Sequence, residues 1–154
     1  MKILALDLGA TTGWAVVEDG KVVEYGEQEF GGDRAHRLRG FRMWLMGVVL
    51  CSDPDTVIFE RPFCRGLHAT RSLWGMAGIV EEAVVDCAAC LDIVPSTIKK
   101  WATGSGRASK EQMTEYAWLL MGMKGDDKMG EHEADAIALG MYAAATIEPD
   151  GNYK

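Results

Sequence analysis

The chain has 154 residues, 48% of them apolar types and 25% charged, and its formal net charge is −7. This suits one ordinary globular domain with a substantial core, and no apolar run is long enough to span a membrane. Asp7 interrupts the N-terminal apolar stretch and no small-residue cleavage site follows, so a secretory signal is not expected and the location expected is cytoplasmic.

The chain opens as a strand. Lys2, Ile3, Leu4, Ala5 and Leu6 place apolar residues on both faces, as in a central covered strand, and Asp7 puts a carboxylate at its end. Gly9 and Gly13 are expected to turn the chain, with residues 14–17 running back as a second strand. Asp19-Gly20 then makes a hairpin turn into a third strand over 21–30. Asp33 suits the N-cap of a helix to about residue 51, with Leu38, Phe41, Leu45, Val48 and Val49 at helical spacing. Asp53-Pro54-Asp55 breaks the chain before a short buried strand over 56–59, and Glu60 sits at its end.

A loop over 61–68 leads to a long helix over 69–91, whose stripe is Leu73, Ala77, Val80, Val84, Cys87 and Leu91. Trp74 on that helix is given to core packing, with base stacking as its alternative. Residues 92–94 read as a last short strand, and Pro95 or Ser96 starts a helix through 101. A glycine-bearing loop over 103–107 follows, and Ser109 can cap a helix to about residue 121. After a charged connector over 122–130, the final helix covers 131–146, with Ala134, Ile137, Ala138, Met141 and Ala145 on one face. Residues 1–147 make the domain and 148–154 a tail. Antiparallel strands leading into parallel crossovers imply an α/β fold, a mixed sheet with helices on both faces.

Four cysteines, Cys51, Cys64, Cys87 and Cys90, are expected to be reduced. Cys87 and Cys90 form C-x-x-C inside the helical pattern and lack a second pair at zinc-site spacing, so they read as small core residues. The net negative charge argues against a polyanionic partner, but its distribution argues for one. Eleven of the sixteen Lys and Arg fall in three clusters: Arg34, Arg37, Arg39 and Arg42; Arg61, Arg65 and Arg71; Lys99, Lys100, Arg107 and Lys110. A local basic face matters more than the total, although such runs are commonly just solvated surface.

His132 and Asp135 stand three apart at the start of the last helix and so share one face. Complementing the helix dipole accounts for Glu131 and Glu133, but less well for Asp135, next to core-facing Ala134. Asp7, Glu60, His132 and Asp135 thus lie at two strand ends and a helix start, which can meet at one point. Three carboxylates together repel unless divalent cations neutralise them. The oxygen-rich set suits Mg²⁺, and the histidine makes Mn²⁺ more acceptable. Two ions about 4 Å apart would activate a water and stabilise the leaving oxygen of a phosphoryl displacement.

Four stretches, LALDLGATTGWAV, VIFERPF, PSTIKKWATGSGRASKEQM and HEADAIALG, resemble in order and spacing the RuvC-type Holliday junction resolvases, phage and bacterial forms, of the ribonuclease H-like fold. The resemblance covers nearly the whole chain and implies a five-stranded mixed sheet. It implies that Asp7, Glu60 and Asp135 are the metal-binding carboxylates, with two Mg²⁺ or Mn²⁺ ions, and that His132 stands where many members carry another Asp. His132 is then either a metal ligand or a general base. It implies that Phe63 stacks on a base near the crossover and that Lys99 and Lys110 lie near the scissile phosphate. The Gly104, Ser105 and Gly106 loop would approach DNA, and Arg61, Arg65, Arg71, Lys100 and Arg107 would contact phosphates. The implied activity is paired nicking of four-way or other branched DNA by a homodimer, with the 69–91 helix as the dimer contact and Lys110 neutralising non-bridging oxygens.

Other readings are compatible with the sequence. A phosphotransferase of the actin and sugar-kinase type also begins with D-x-G-x-T and a hairpin, but needs a second similar half, and the chain shows no repeat. A nuclease of the same fold acting on RNA–DNA hybrid keeps the metal site with another substrate. A proofreading-type exonuclease would want a Glu two residues after Asp7, where Gly9 stands. A binding protein with a dead site would not need the acidic set.

Overall fold

The computed structural model describes residues 1–63, 66–123, 129–148 and 152–153. The elements are β1 (Lys2–Asp7), β2 (Thr11–Glu18), β3 (Lys21–Glu29), α1 (Arg34–Ser52), β4 (Thr56–Glu60), α2 (Leu67–Val84), β5 (Ala89–Ile93), α3 (Pro95–Thr103), α4 (Lys110–Met121) and α5 (Glu131–Thr146). One five-stranded sheet has the order β3-β2-β1-β4-β5. β1, β2 and β3 pair antiparallel, and β1, β4 and β5 pair parallel. This is the mixed sheet with helices on both faces that the chain order predicts. Among the described residues no helix is long and apolar enough to cross a membrane.

The period-2 alternation of β1 divides the core. Leu4 and Leu6 face α1 and α2, in a cluster with Phe41, Leu45, Val57, Met76 and Val80. Ile3 and Ala5 face the other side, in a cluster with Ile58, Ile98, Met113, Leu139 and Ala143. Asp7 and Glu60 have the parity of Ala5 and Ile58, so both carboxylates belong to the α5 face. The last β1–β4 pair is Leu6↔Phe59, which sets Asp7 beside Glu60 at the carboxyl ends of adjacent parallel strands. Crevices at such strand ends are where open α/β sheets bind ligands.

α5 lies close against the sheet because both surfaces carry small side chains. A Cβ on Gly140 would come 2.7 Å from Val17 Cγ2 and 3.2 Å from Ala5 Cβ. Trp101 of α3 packs edge-on against Tyr116 of α4 and Tyr142 of α5, each with ring centroids 5.8 Å apart, and so ties α3 and α4 to α5.

Several expectations need correction. Gly13 is not in the turn but inside β2, opposite Asp7. The turn is closed by Thr12, fully buried, whose hydroxyl donates to the Gly9 carbonyl at 3.0 Å. The helix expected over 69–91 begins at Leu67 and ends at Val84. Cys90 and Leu91 instead lie on β5, opposite Val57 and Ile58 of β4. Pairing along β4 satisfies their backbone groups, which outweighs a locally helical stripe. The C-x-x-C pair is therefore not helical, and Cys87 is exposed rather than core. Trp74 and Ala145 are also exposed. The connector and the tail lie partly outside the described residues, although Ile147, fully buried, forms an isolated bridge with Tyr153.

Candidate active site

A cleft of about 300 Å³ opens at the carboxyl ends of β1 and β4, against the first turns of α5 and α4. Asp7, Glu60, His132 and Asp135 all line it, together with Lys99, Lys110, Arg61 and Phe63. The two strand ends and the helix start therefore border one cleft. Three larger depressions, two of about 430 Å³ and one of about 350 Å³, contain none of the acidic residues of this set.

The start of α5 is positioned by contacts on both sides. Gly130 precedes it, and the Gly130 N–H donates to Glu133 Oε2 at 2.7 Å, which satisfies one of the free amides of the first turn. Across the sheet, a Cβ on Gly13 would stand 1.9 Å from the His132 carbonyl oxygen. Only a glycine lets the helix start seat there, because φ at Gly13 is not in the left-handed region and supplies no other reason for one.

His132 Nδ1 lies 2.6 Å from Asp7 Oδ2, a contact across 125 positions of sequence. That hydrogen bond raises the imidazole above its ordinary value, with burial opposing and the Asp7, Glu27 and Asp135 charges adding to the rise. Burial pushes the Asp135 carboxyl up to about 6, the Asp7 charge adds to this, and Lys99, His132 and Lys110 oppose it. Asp135 is thus an anion held in a confined place beside another anion. Lys110 pairs with Glu131, and that hydrogen bond is the leading cause of its raised pKa.

Among the described residues, no three His, Cys, Asp or Glu side chains converge closely enough to hold an ion as they stand. The donor chemistry nevertheless fits a hard divalent cation. Asp7, Glu60 and Asp135 offer oxygen ligands in one cleft, and Asp135 is raised there chiefly by burial, with the Asp7 charge adding to it.

The remaining predicted residues are more scattered. Phe63 is 71% exposed at the cleft, available to stack on a base. Arg61 lines the cleft but is engaged by Asp92, with Nε to Oδ2 at 2.6 Å and the second nitrogen to Oδ1 at 3.2 Å. Lys100, Arg71, Gly104, Ser105, Gly106 and Arg107 are not among the lining residues, and Arg65 lies outside the described residues. Gly104 closes α3 in the left-handed conformation at φ 79°, and its N–H donates to the Lys100 carbonyl. Gly106 packs against α3, where a Cβ would sit 3.2 Å from the Ser96 carbonyl oxygen. Sequence reasoning missed the parts played by Gly13, Glu131 and Asp92. Only the parity of Gly13 with Asp7 across a hairpin could have flagged the first.

No protein-family model matches the chain. It is 33% identical over 148 residues to the crossover junction endodeoxyribonuclease RuvC of Nitratidesulfovibrio vulgaris (strain Hildenborough), covering 89% of this chain and 87% of that one. It is 33% identical over 146 residues to the protein of the same name from Oleidesulfovibrio alaskensis, covering 88% and 86%. The fold is similar to that of Thermus thermophilus RuvC, with a TM-score of 0.78 and 19% identity over 94% of this chain and 93% of that one. The same Thermus protein in complex with a Holliday junction substrate aligns with a TM-score of 0.77 and 19% identity, covering 94% and 92%.

Proposed function

The chain belongs to the RuvC family of crossover junction endodeoxyribonucleases, and from that premise we propose that the cleft at the ends of β1 and β4 is where it resolves Holliday junctions. The observation that carries this reading is the gathering of Asp7, Glu60, His132 and Asp135 in one cleft with Lys99, Lys110 and Phe63. The family's nucleases depend on metal; here Asp7, Glu60 and Asp135 would hold two Mg²⁺ or Mn²⁺ ions. Bound there, such ions supply Lewis acidity to an attacking water and to the phosphate oxygens.

The chain's own residues do the rest. Asp7 orients the His132 ring through Nδ1, which leaves Nε2 to meet a water or an ion. As a general base, His132 acts only when neutral, so the pairing that raises its pKa moves the active range upward in pH. Lys99 and Lys110 bring positive charge to the non-bridging phosphate oxygens. Phe63 provides an aromatic face for a base unstacked at the crossover. Arg61, Arg65, Arg71, Lys100, Arg107 and the 104–106 loop would follow the DNA arms. A homodimer joined through α2, which exposes Leu67 and Trp74, would present two clefts to the two strands of matched polarity.

The test is cleavage of a labelled four-way junction beside linear duplex and RNA–DNA hybrid, in Mg²⁺ and in Mn²⁺, with Asp7→Asn as control. Paired symmetric nicks in the junction alone, lost in the variant, are expected. Cleavage of the hybrid instead overturns the substrate, and cleavage that survives in Asp7→Asn overturns the site.

A further inference from the structure

The ion pair between Lys110 and Glu131 bears on how DNA enters the cleft. Both residues are the first of their helices, α4 and α5, and both line the cleft. A cation at a helix N-terminus faces the positive end of the helix dipole, so Lys110 stands where its own backbone disfavours it. Glu131 supplies the compensating charge, and the leading cause of the raised Lys110 pKa is this contact. Glu131 itself is one residue from His132 yet bonds away from it, to Lys110. The pair is solvated, at 67% and 52% side-chain exposure, so a competing anion can reach and displace it.

We propose that Glu131 masks Lys110, occupying it as a phosphate would, and is exchanged for a DNA phosphate when substrate binds. This rests on the reading of Lys110 as a phosphate contact. The carboxylate occupies the ammonium at the cleft mouth and so lowers the affinity of the empty cleft for any chance phosphodiester. A junction that fills the whole surface outcompetes it; a short or misplaced backbone contact does so less readily. Glu131 therefore acts on binding through Lys110, not on the reacting atoms.

The experiment is a double-mutant cycle on the full chain with Glu131→Gln, Lys110→Gln and the double variant. Dissociation constants for a labelled four-way junction are measured in EDTA across a salt series, with thermal melting as the folding check. Glu131→Gln is expected to tighten binding by about 1.5- to 5-fold, the range in which exposed ion pairs act. It should steepen the plot of log K against log salt by up to about 0.9, one more phosphate contact made by an already free cation. Both effects should vanish when Lys110 is Gln, and in Mg²⁺ the change should appear in KM rather than kcat. Equal tightening with and without Lys110 overturns the proposal, because Glu131 then acts by charge alone. Weaker binding by Glu131→Gln overturns it too, because Glu131 then aims Lys110 at DNA. If Lys110→Gln alone alters neither binding nor cleavage, the underlying reading of Lys110 fails, and that arm reports it separately.

Discussion

Replacing Gly13 by Ala adds one carbon at the tightest contact near the site. The new Cβ would stand 1.9 Å from the His132 carbonyl oxygen, 2.2 Å from its carbon and 2.9 Å from its Cα. Side-chain carbons essentially never approach closer than 3.0 Å, so the gap falls 1.1 Å short, and every clashing atom is backbone. No rotamer change relieves this; the start of α5 must move away from β2. Overpacking costs about 1–3 kcal/mol where side chains can yield, so a backbone clash belongs at about 3 kcal/mol or above. At about 2–4 °C per kcal/mol for a chain of this size, melting should fall by about 6–12 °C. The displacement also carries His132 and Asp135 away from Asp7, and a shift of about 1 Å in a positioned group can cost about 100-fold in rate. The assays are thermal melting in EDTA and single-turnover cleavage of a four-way junction. An alanine in an unobstructed strand would instead stabilise by about 0.5–1 kcal/mol relative to glycine, so the two readings differ in sign. A Gly13→Ala protein as stable and as fast as its parent refutes the close seating of α5.

The carboxyl of Asp135 stands at about 6 in the fold against an ordinary value of 3.8, so its ionised form costs stability above pH 6 and the cost fades as pH falls to 4. At about 1.36 kcal/mol per unit, Asp135→Asn should gain up to about 3 kcal/mol in EDTA at pH 8, and melting curves showing the same gain at pH 4 would contradict the assignment. Mg²⁺ should stabilise the parent more than this variant, read by the same melts, and junction cleavage by the parent should fall as pH drops through 6. Ser109→Ala removes the acceptor of the Gln112 N–H and should cost about 1 kcal/mol, a melting loss of about 2–4 °C. Gly47→Ala in α1, where a Cβ meets nothing within 4 Å, should raise stability by about 0.5–1 kcal/mol and leave junction cleavage unchanged; a lower melting temperature would contradict it.

Where local chemistry decides structure, the sequence was readable. Asp33 and Ser109 cap α1 and α4 through the His36 and Gln112 amides, as their residue types foretell. The final helix runs over Glu131–Thr146 as its pattern predicts. The failures share one cause. Cys87 and Leu91 continue a helical stripe, yet Leu91 pairs with Ile58 in the sheet, because hydrogen bonds from a distant strand outweigh a local period. Gly13 looked like a turn residue because glycine does both jobs, and only the seat of α5 distinguishes them.

The chemistry of the cleft was legible as a set: carboxylates at two strand ends, and a histidine with a carboxylate three residues on at a helix start. Side-chain type and periodicity are local properties, so those residues, their elements and the basic clusters could be read from the chain alone. Which groups meet is not local. The Asp7–His132 contact spans 125 positions and depends on sheet order, on strand parity and on how closely α5 can lie on β2. The tertiary structure likewise decided that Arg61 is engaged by Asp92 and Lys110 by Glu131. Charge pairing falls off over a few ångströms, and only the folded chain sets distances on that scale.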